Sequence, residues 1–291
     1  MIRPQGLGHR VSFRIPRIDV VKGSIVAVIL LALVSWSYIL LQDSTGFGDL
    51  FSPSTWRRGS DFVGRLLGLD SDGTPAFLTL DAWVDGGRLA YKTLAMSILA
   101  AVFAGVAVLL TFLPGARNVA SGELGSGHPM ARYPLFILVR GLFIFSRAVP
   151  ELIWAFLVIF VLSPGILTGA VALAIHNYGI LGKLSSEVVE DLDTKPARAL
   201  QAAGAGNSKV LFYGILPQVM PQFLTYLLYR WEVIIRTTIV VGFVGAGGLG
   251  REFRLSMSFF HYTDVTVLLA WYVILVVFVD LVSSWLRRLA R

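Results

Sequence analysis

Three charged residues, Arg230, Glu232 and Arg236, interrupt a stretch from Val219 to Phe243 that is otherwise apolar enough to cross a bilayer. A charge at the centre of a membrane costs at least ~2.5–3.5 kcal/mol, so such residues are functional or paired. On a helix Glu232 and Arg236 are i, i+4 neighbours, so Glu232 is expected to neutralise Arg236 and leave Arg230 facing water, an anion or another acid. A second apolar stretch, Pro134 to Leu162, carries Arg140, Arg147 and Glu151, and Arg147–Glu151 has the same spacing. Together the two stretches hold four arginines against two glutamates. Guanidinium binds phosphate and phosphonate groups in a bidentate way. The surplus therefore suits an anion path lined by Arg147, Glu151, Arg230, Glu232 and Arg236. The competing reading is structural: ion pairs between packed helices, or snorkelling to the interface, which is the expectation for Arg140 near the inner boundary. Tight anion binding inside a path would trap the cargo, so the affinity is expected to reside in a receptor outside the membrane.

These side chains need helices to hold them. The chain has 291 residues, 55% hydrophobic and 15% charged, with a mean hydropathy of +0.72. A soluble domain carries about 25% charged residues, so the composition predicts an all-α integral membrane protein. The absence of cysteine excludes disulfides, thiolate metal sites and cysteine nucleophiles. His9, His128, His176 and His261 lie far apart with no metal spacing, and no Ser/His/Asp arrangement stands out, so neither a metal nor a catalytic site is expected. His176 and Asn177 read as helix–helix hydrogen-bonding residues.

Crossing the hydrocarbon core takes about 20 residues of helix. Six segments are predicted to do so: Gly23–Leu41, Leu89–Leu113, Pro134–Leu162, a shorter and more polar Ile166–Leu184, Val219–Phe243 and Val265–Leu286. Pro150 and Pro164 are expected to kink or end the third. Gln42, Asp43 and Ser44 after the first span offer no small-residue cleavage site, so it reads as an uncleaved anchor. Arg3, Arg10, Arg14, Arg17 and Lys22 precede the first span, Arg287, Arg288 and Arg291 follow the last, and the loop 42–87 is rich in aspartate. The positive-inside rule then places both termini in the cytoplasm of a multi-pass cell-membrane protein. The net charge of +7 sits at these flanks and needs no nucleic acid. The expected organisation is a basic segment 1–23, a first span with an acidic outer loop over 24–87, a transmembrane core over 88–286 and a tail over 287–291. A short interfacial helix is expected near Asp61–Leu69.

The inner segment at about 185–218 begins with Glu187 and Glu190. Asp193 or Thr194 can cap a new helix, Pro196 fits its first turn, and Gly204 and Gly206 offer a stop after an alanine-rich helix predicted over Ala197–Ala205. Lys209–Tyr213 resumes a helical pattern until Pro217. Small side chains at Ala199, Ala202, Ala203, Gly204 and Ala205 would let another surface approach closely. An ordinary interfacial helix explains the same residues. Gly245, Gly247, Gly248 and Gly250 form a glycine run, but no βαβ unit surrounds it and no GxxxxGK[ST] occurs, so a nucleotide site is rejected. The glycines are expected to make a tight turn at the outer mouth.

The segment from Arg198 to Pro217 resembles the cytoplasmic signature of the membrane subunits of ABC importers. That signature is a Glu-Ala-Ala triplet, a glycine four positions after it, and a Leu-Pro thirteen residues further on. Gly204 and Leu216-Pro217 keep the spacing, Arg198-Ala199-Leu200 stands in the triplet place, and Gly214 occupies the usual isoleucine position. Residues 179–190 and 214–250 are similar to the phosphonate-type branch. The resemblance implies a type I importer permease core without an ATP site of its own, ATP and magnesium being bound by two cytoplasmic ATPase subunits. It further implies docking of those subunits near Asp193, Ala199, Ala202, Ala203, Gly204, Ala205, Leu216 and Pro217. A second copy of the chain would complete the path, an extracytoplasmic solute-binding protein would deliver the cargo, and the cargo would be phosphonate, phosphate or phosphite. The alternative is an ATP-independent secondary transporter or channel for an anion.

Overall fold

The computed structural model describes residues 20–42, 47–69, 73–124 and 129–289. Most of the basic N-terminal segment, with His9, and also His128 and Arg291, lie outside the described residues. All regular elements among the described residues are helical. The chain divides into two units between Val63 and Gly64.

The first unit contains α1 (Val20–Gln42), a short 3-10 turn (Phe47–Phe51) and most of α2 (Pro53–Leu66). Apart from Lys22, Ser24 and a few small or hydroxyl residues, α1 is apolar all round, and its side chains are exposed along almost its whole length. A helix apolar on every side belongs in lipid or in a large core. A helix does lie near the expected place: α2 begins eight residues before Asp61 and ends at Leu66.

The second unit is a bundle. It comprises α3 (Leu80–Thr111), α4 (Arg117–Ala120), α5 (Pro129–Ala148), α6 (Glu151–Val161), α7 (Ile166–Glu190), α8 (Lys195–Ala202), α9 (Asn207–Lys209), α10 (Leu216–Val241), α11 (Gly248–Ser258) and α12 (Tyr262–Leu289). Among the described residues α1, α3 and α12 are each long and apolar enough to cross a membrane alone. Residues 132–161 and 207–258 qualify as two bent pairs, bent by 100° and 63°. The third predicted span is therefore not straight. Pro150, extended at φ −57° and ψ 147°, stops α5 and starts α6. The predicted acidic loop to Gly87 is also shorter than expected. Helix α3 starts at Leu80, with Asp81 in its first turn where the helix dipole favours an acid.

Helix α7 is the sixth long element and the hub. It runs six residues past the predicted Leu184. It is too polar to face lipid, but protein covers it: Gly169, Ala170, Ala172, Leu173, Ala174, Asn177, Gly179, Leu181, Gly182, Ser185 and Ser186 are all buried. Small residues let neighbouring backbones come close where lipid offers no hydrophobic drive. A Cβ at Gly179 would stand 2.5 Å from the Phe143 carbonyl oxygen and 2.6 Å from the Arg147 amide nitrogen of α5. At Gly169 it would meet Met96 of α3 at 2.5 Å and Ala246 at 2.6 Å.

One end of the bundle gathers the starts of α3, α7 and α12; it is the end predicted to face outward. At the other, Asn118 donates to the Val189 carbonyl (2.6 Å), Ser186 to that of Phe112 (2.9 Å), and α8 joins a core with Phe112, Leu181, Val189, Val210, Ile215 and Phe223. Gly179→Ala should lower stability by about 1–3 kcal/mol, the cost of overpacking a tight contact. Gly141→Ala, with open space around its Cβ position, serves as control. Thermal unfolding in detergent checks this; equal melting temperatures for the two variants would contradict the close-approach account.

Candidate functional site

Three polar layers bind the helices. At the predicted inner end, Arg140 forms an ion pair with Glu190 and donates from Nε to the Gly115 carbonyl oxygen at 2.7 Å, while the Arg117 amide donates to the same Glu190 carboxylate at 2.7 Å. Arg140 is thus clamped between α5, the end of α7 and the α3–α4 turn. This is an ion pair between packed helices, not snorkelling.

The second layer joins α10 to α12. Glu232 pairs with Arg287, which also donates to Ser283 (2.7 Å) and Ser284 (3.0 Å). Arg236 Nη2 donates to both carboxylate oxygens of Asp280, at 3.0 and 2.9 Å. The expected Glu232–Arg236 pairing is therefore wrong: each takes a partner of opposite charge on the neighbouring helix. Asp280 was missed although it is the lone acid in the last predicted span. The same cost argument that singled out the arginines would have found it.

The third layer sits where α5 breaks. Arg230 donates from Nε (2.9 Å) and Nη2 (2.6 Å) to the Asn177 side-chain oxygen, whose own amide donates to the Leu173 carbonyl at 2.7 Å. His176 Nδ1 lies 2.9 Å from the Val149 carbonyl oxygen and so must carry the proton there, while its Nε2 stands 3.6 Å from Glu151. Glu151 is also within Coulombic reach of Arg230. The expected Arg147–Glu151 pair does not form, because the helix breaks between them. Arg147 enters no ion pair among the described residues. Of the four span arginines, Arg147 and Arg230 are the two without an ion pair among the described residues, and guanidinium is chemistry able to receive an oxyanion.

The glycine run behaves as a joint. Gly245, Gly247 and Gly248 have φ of +110°, +88° and +66°, conformations open to glycine, and the chain turns there into α11. Leu249 N donates to Thr93 Oγ1 at 2.9 Å, tying the turn to α3. Gly250 plays a different part: it is buried against Gly242 and the Ile239 carbonyl, allowing α11 to fold back on α10. A cleft of about 550 Å³ opens beside this joint between Lys92, Gly165, Gly247, Gly248, Arg251 and Glu252.

Helix α8 spans Lys195–Ala202, shorter than the predicted Ala197–Ala205, because a Schellman motif closes it. Ala205 N donates to Leu200 O at 3.0 Å, Gly204 N to Gln201 O at 2.9 Å, and Gly204 takes φ +81°. Asp193 accepts from the Lys195 amide (3.0 Å) at its start. The helix is two-faced. Ala197 is buried against Gly214, where a Cβ would stand 3.3 Å from the Ala197 Cα, so the glycine in the isoleucine place admits α8. Ala199, Ala202, Ala203 and Gly204 are exposed and Ala205 is half-buried. Pro217 causes no break: the π-helical turn Val210–Ile215 leads straight into α10, with Leu216 first and Pro217 in its first turn.

A bundle organised around a small-residue hub, with a two-faced helix docked beneath it and a glycine joint above, is the fold of a type I importer permease. Residues 129–291 match the family described as binding-protein-dependent transport system inner membrane component, and the chain belongs to it. It is 34% identical over 266 residues to the phosphite transport system permease protein PtxC of Stutzerimonas stutzeri, covering 91% of this chain and 88% of that one. It is 32% identical to the phosphate-import permease protein PhnE of Mycolicibacterium smegmatis over 79% of this chain and 42% of that protein. Among solved structures, an inward-facing MetNI methionine ABC transporter chain superposes with a TM-score of 0.58 over 70% of this chain and 95% of its own, at 20% identity.

Replacing one member of the Arg236–Asp280 pair should destabilise the bundle more than replacing both by leucine. A double-mutant cycle on unfolding in detergent should return a coupling of about 0.5–3 kcal/mol. Additive losses would show that the pair carries no energy.

Proposed function

We propose that this permease serves an ATP-driven importer of a phosphorus oxyanion: phosphonate, phosphite or phosphate. It would work as a homodimer with two cytoplasmic ATPase subunits and an extracytoplasmic solute-binding protein, with both of its termini in the cytoplasm. The observation that carries the coupling half of this reading is the two-faced α8. Its exposed face of Ala199, Ala202, Ala203 and Gly204 suits docking, and Ala197 on the other face is built into the same core as the start of α10. A push on α8 would therefore reach α10 as rigid-body motion. The cargo half rests on the phosphite and phosphate permeases to which the chain is similar, and on Arg147 and Arg230 as the two of the four span arginines that enter no ion pair among the described residues.

The chain has no cysteine, so single cysteines report cleanly. A crosslinker on Ala202→Cys or Ala205→Cys should capture an ATPase subunit in membranes from cells that express the whole system; labelling of these positions from outside intact cells would sink the topology. In the purified complex, a second permease chain of different sequence would rule out the homodimer. Gly204→Val forces a branched residue to φ +81° at a cost of about 1–3 kcal/mol and should uncouple ATP hydrolysis from transport, while Gly204→Asn, which tolerates that conformation, should retain most activity. Equal activities would show that the turn does not matter. Arg230→Gln should reduce uptake at least about tenfold with the protein still folded, consistent with ~1.4 kcal/mol of lost anion stabilisation; unchanged uptake would leave Arg230 a structural partner of Asn177.

A further inference from the structure

The bundle leaves α2 unexplained. At 100° per residue, Phe62, Leu66, Val63, Trp56 and the following Leu67 fall within an arc of roughly 140°, and Arg57, Asp61, Arg65 and Arg58 fall on the opposite side. None of the α2 side chains is buried, and Trp56 and Val63 are 70% and 52% exposed. The last turn is fixed: Arg65 lies over the Tyr262 ring at 5.7 Å, and the Leu66 carbonyl accepts from Thr266 Oγ1 at 2.7 Å. Tyr262 and Thr266 begin α12, one of the membrane-crossing helices, so α2 ends at the depth where that helix enters the bilayer.

We propose that α2 is an interfacial anchor whose occupant is the bilayer surface, with Trp56, Phe62, Val63 and Leu66 in the acyl boundary and Arg57 and Arg58 on anionic phospholipid phosphates. An amphipathic helix with an aromatic apolar face, a basic polar face and low net hydrophobicity lies in the interface plane. Lipid complements both faces of α2 at once, and the last turn, Arg65 and Leu66, is tied to the start of α12. Guanidinium reaches phosphate from the polar side in bidentate fashion. The proposal rests on α1 and α12 being membrane spans, not on the identity of the cargo.

Single cysteines at Trp56, Val63, Ser54 and Asp61 of the full chain, spin-labelled in nanodiscs of phosphatidylglycerol and phosphatidylcholine, test it. Labels at 56 and 63 should be reached by oxygen in preference to a water-soluble nickel chelate, at a depth of about 5–10 Å; labels at 54 and 61 should show the reverse. Preference for the chelate at all four positions would place α2 in water and overturn the proposal. Shielding of 56 and 63 from both reagents would mean a protein covers the face, with the same result. Arg57→Glu combined with Arg58→Glu should shift the label at 63 toward water in phosphatidylglycerol and leave it unmoved in pure phosphatidylcholine. An identical profile in both lipids would overturn the headgroup contact.

Discussion

Close backbone approach to α7 is the constraint on which the bundle depends. A helix carrying Thr168, Asn177, Ser185 and Ser186 cannot face hydrocarbon, where each unsatisfied polar group is costly. It is stable at the centre because glycine and alanine leave room for α3, α5, α6 and α10 to cover it. That covering places the polar groups within reach of partners: Ser186 on the Phe112 carbonyl and Asn177 on Arg230. For Ser186 and Asn177 packing and polar satisfaction are the same event, whereas Ser185 Oγ is buried without a hydrogen-bond partner among the described residues. Enlarging Gly179 would separate α5 from α7 and also displace the break at Ala148–Glu151 that positions Arg147.

The ionic residues divide into two kinds once the helices are assembled. Arg140, Glu190, Glu232, Arg236, Asp280 and Arg287 have mutual partners and hold neighbouring elements in register. Losing one partner of such a pair at membrane depth leaves an expensive unpaired charge behind. Arg147 and Arg230 differ: neither enters an ion pair among the described residues, and Arg230 is held by the neutral Asn177 side chain. In the proposed transporter, an incoming oxyanion would supply the missing negative charge for a moment and then leave, which favours passage over retention.

Much of this was legible in the chain. Pro150 marked the break, Gly204 the end of α8, and the glycine run the joint, because each needs a backbone conformation or a missing donor that the residue type itself reveals. The apolar stretches located the spans for the same local reason. Partner choice was not legible. Glu232 and Arg236 satisfy the spacing rule for a pair, yet Arg287 and Asp280 lie 55 and 44 residues away in sequence and only the α10–α12 packing brings them together. The extent of α7 was hidden as well, since its last turns are polar by composition and protected by tertiary cover. The start of α3 was misjudged because Asp81 and Asp85 look like loop residues until the helix is seen to project beyond its apolar part.

The central claim is that ATP hydrolysis by a partner moves a phosphorus oxyanion through this permease. The most direct measurement is uptake of labelled phosphite, phosphate and a simple alkylphosphonate into liposomes. They would contain the chain with its ATPase subunits, with the solute-binding protein outside and ATP inside. The account predicts accumulation of at least one of the three that needs internal ATP and the binding protein. Uptake driven by an ion gradient alone, with neither ATP nor the binding protein present, would contradict it.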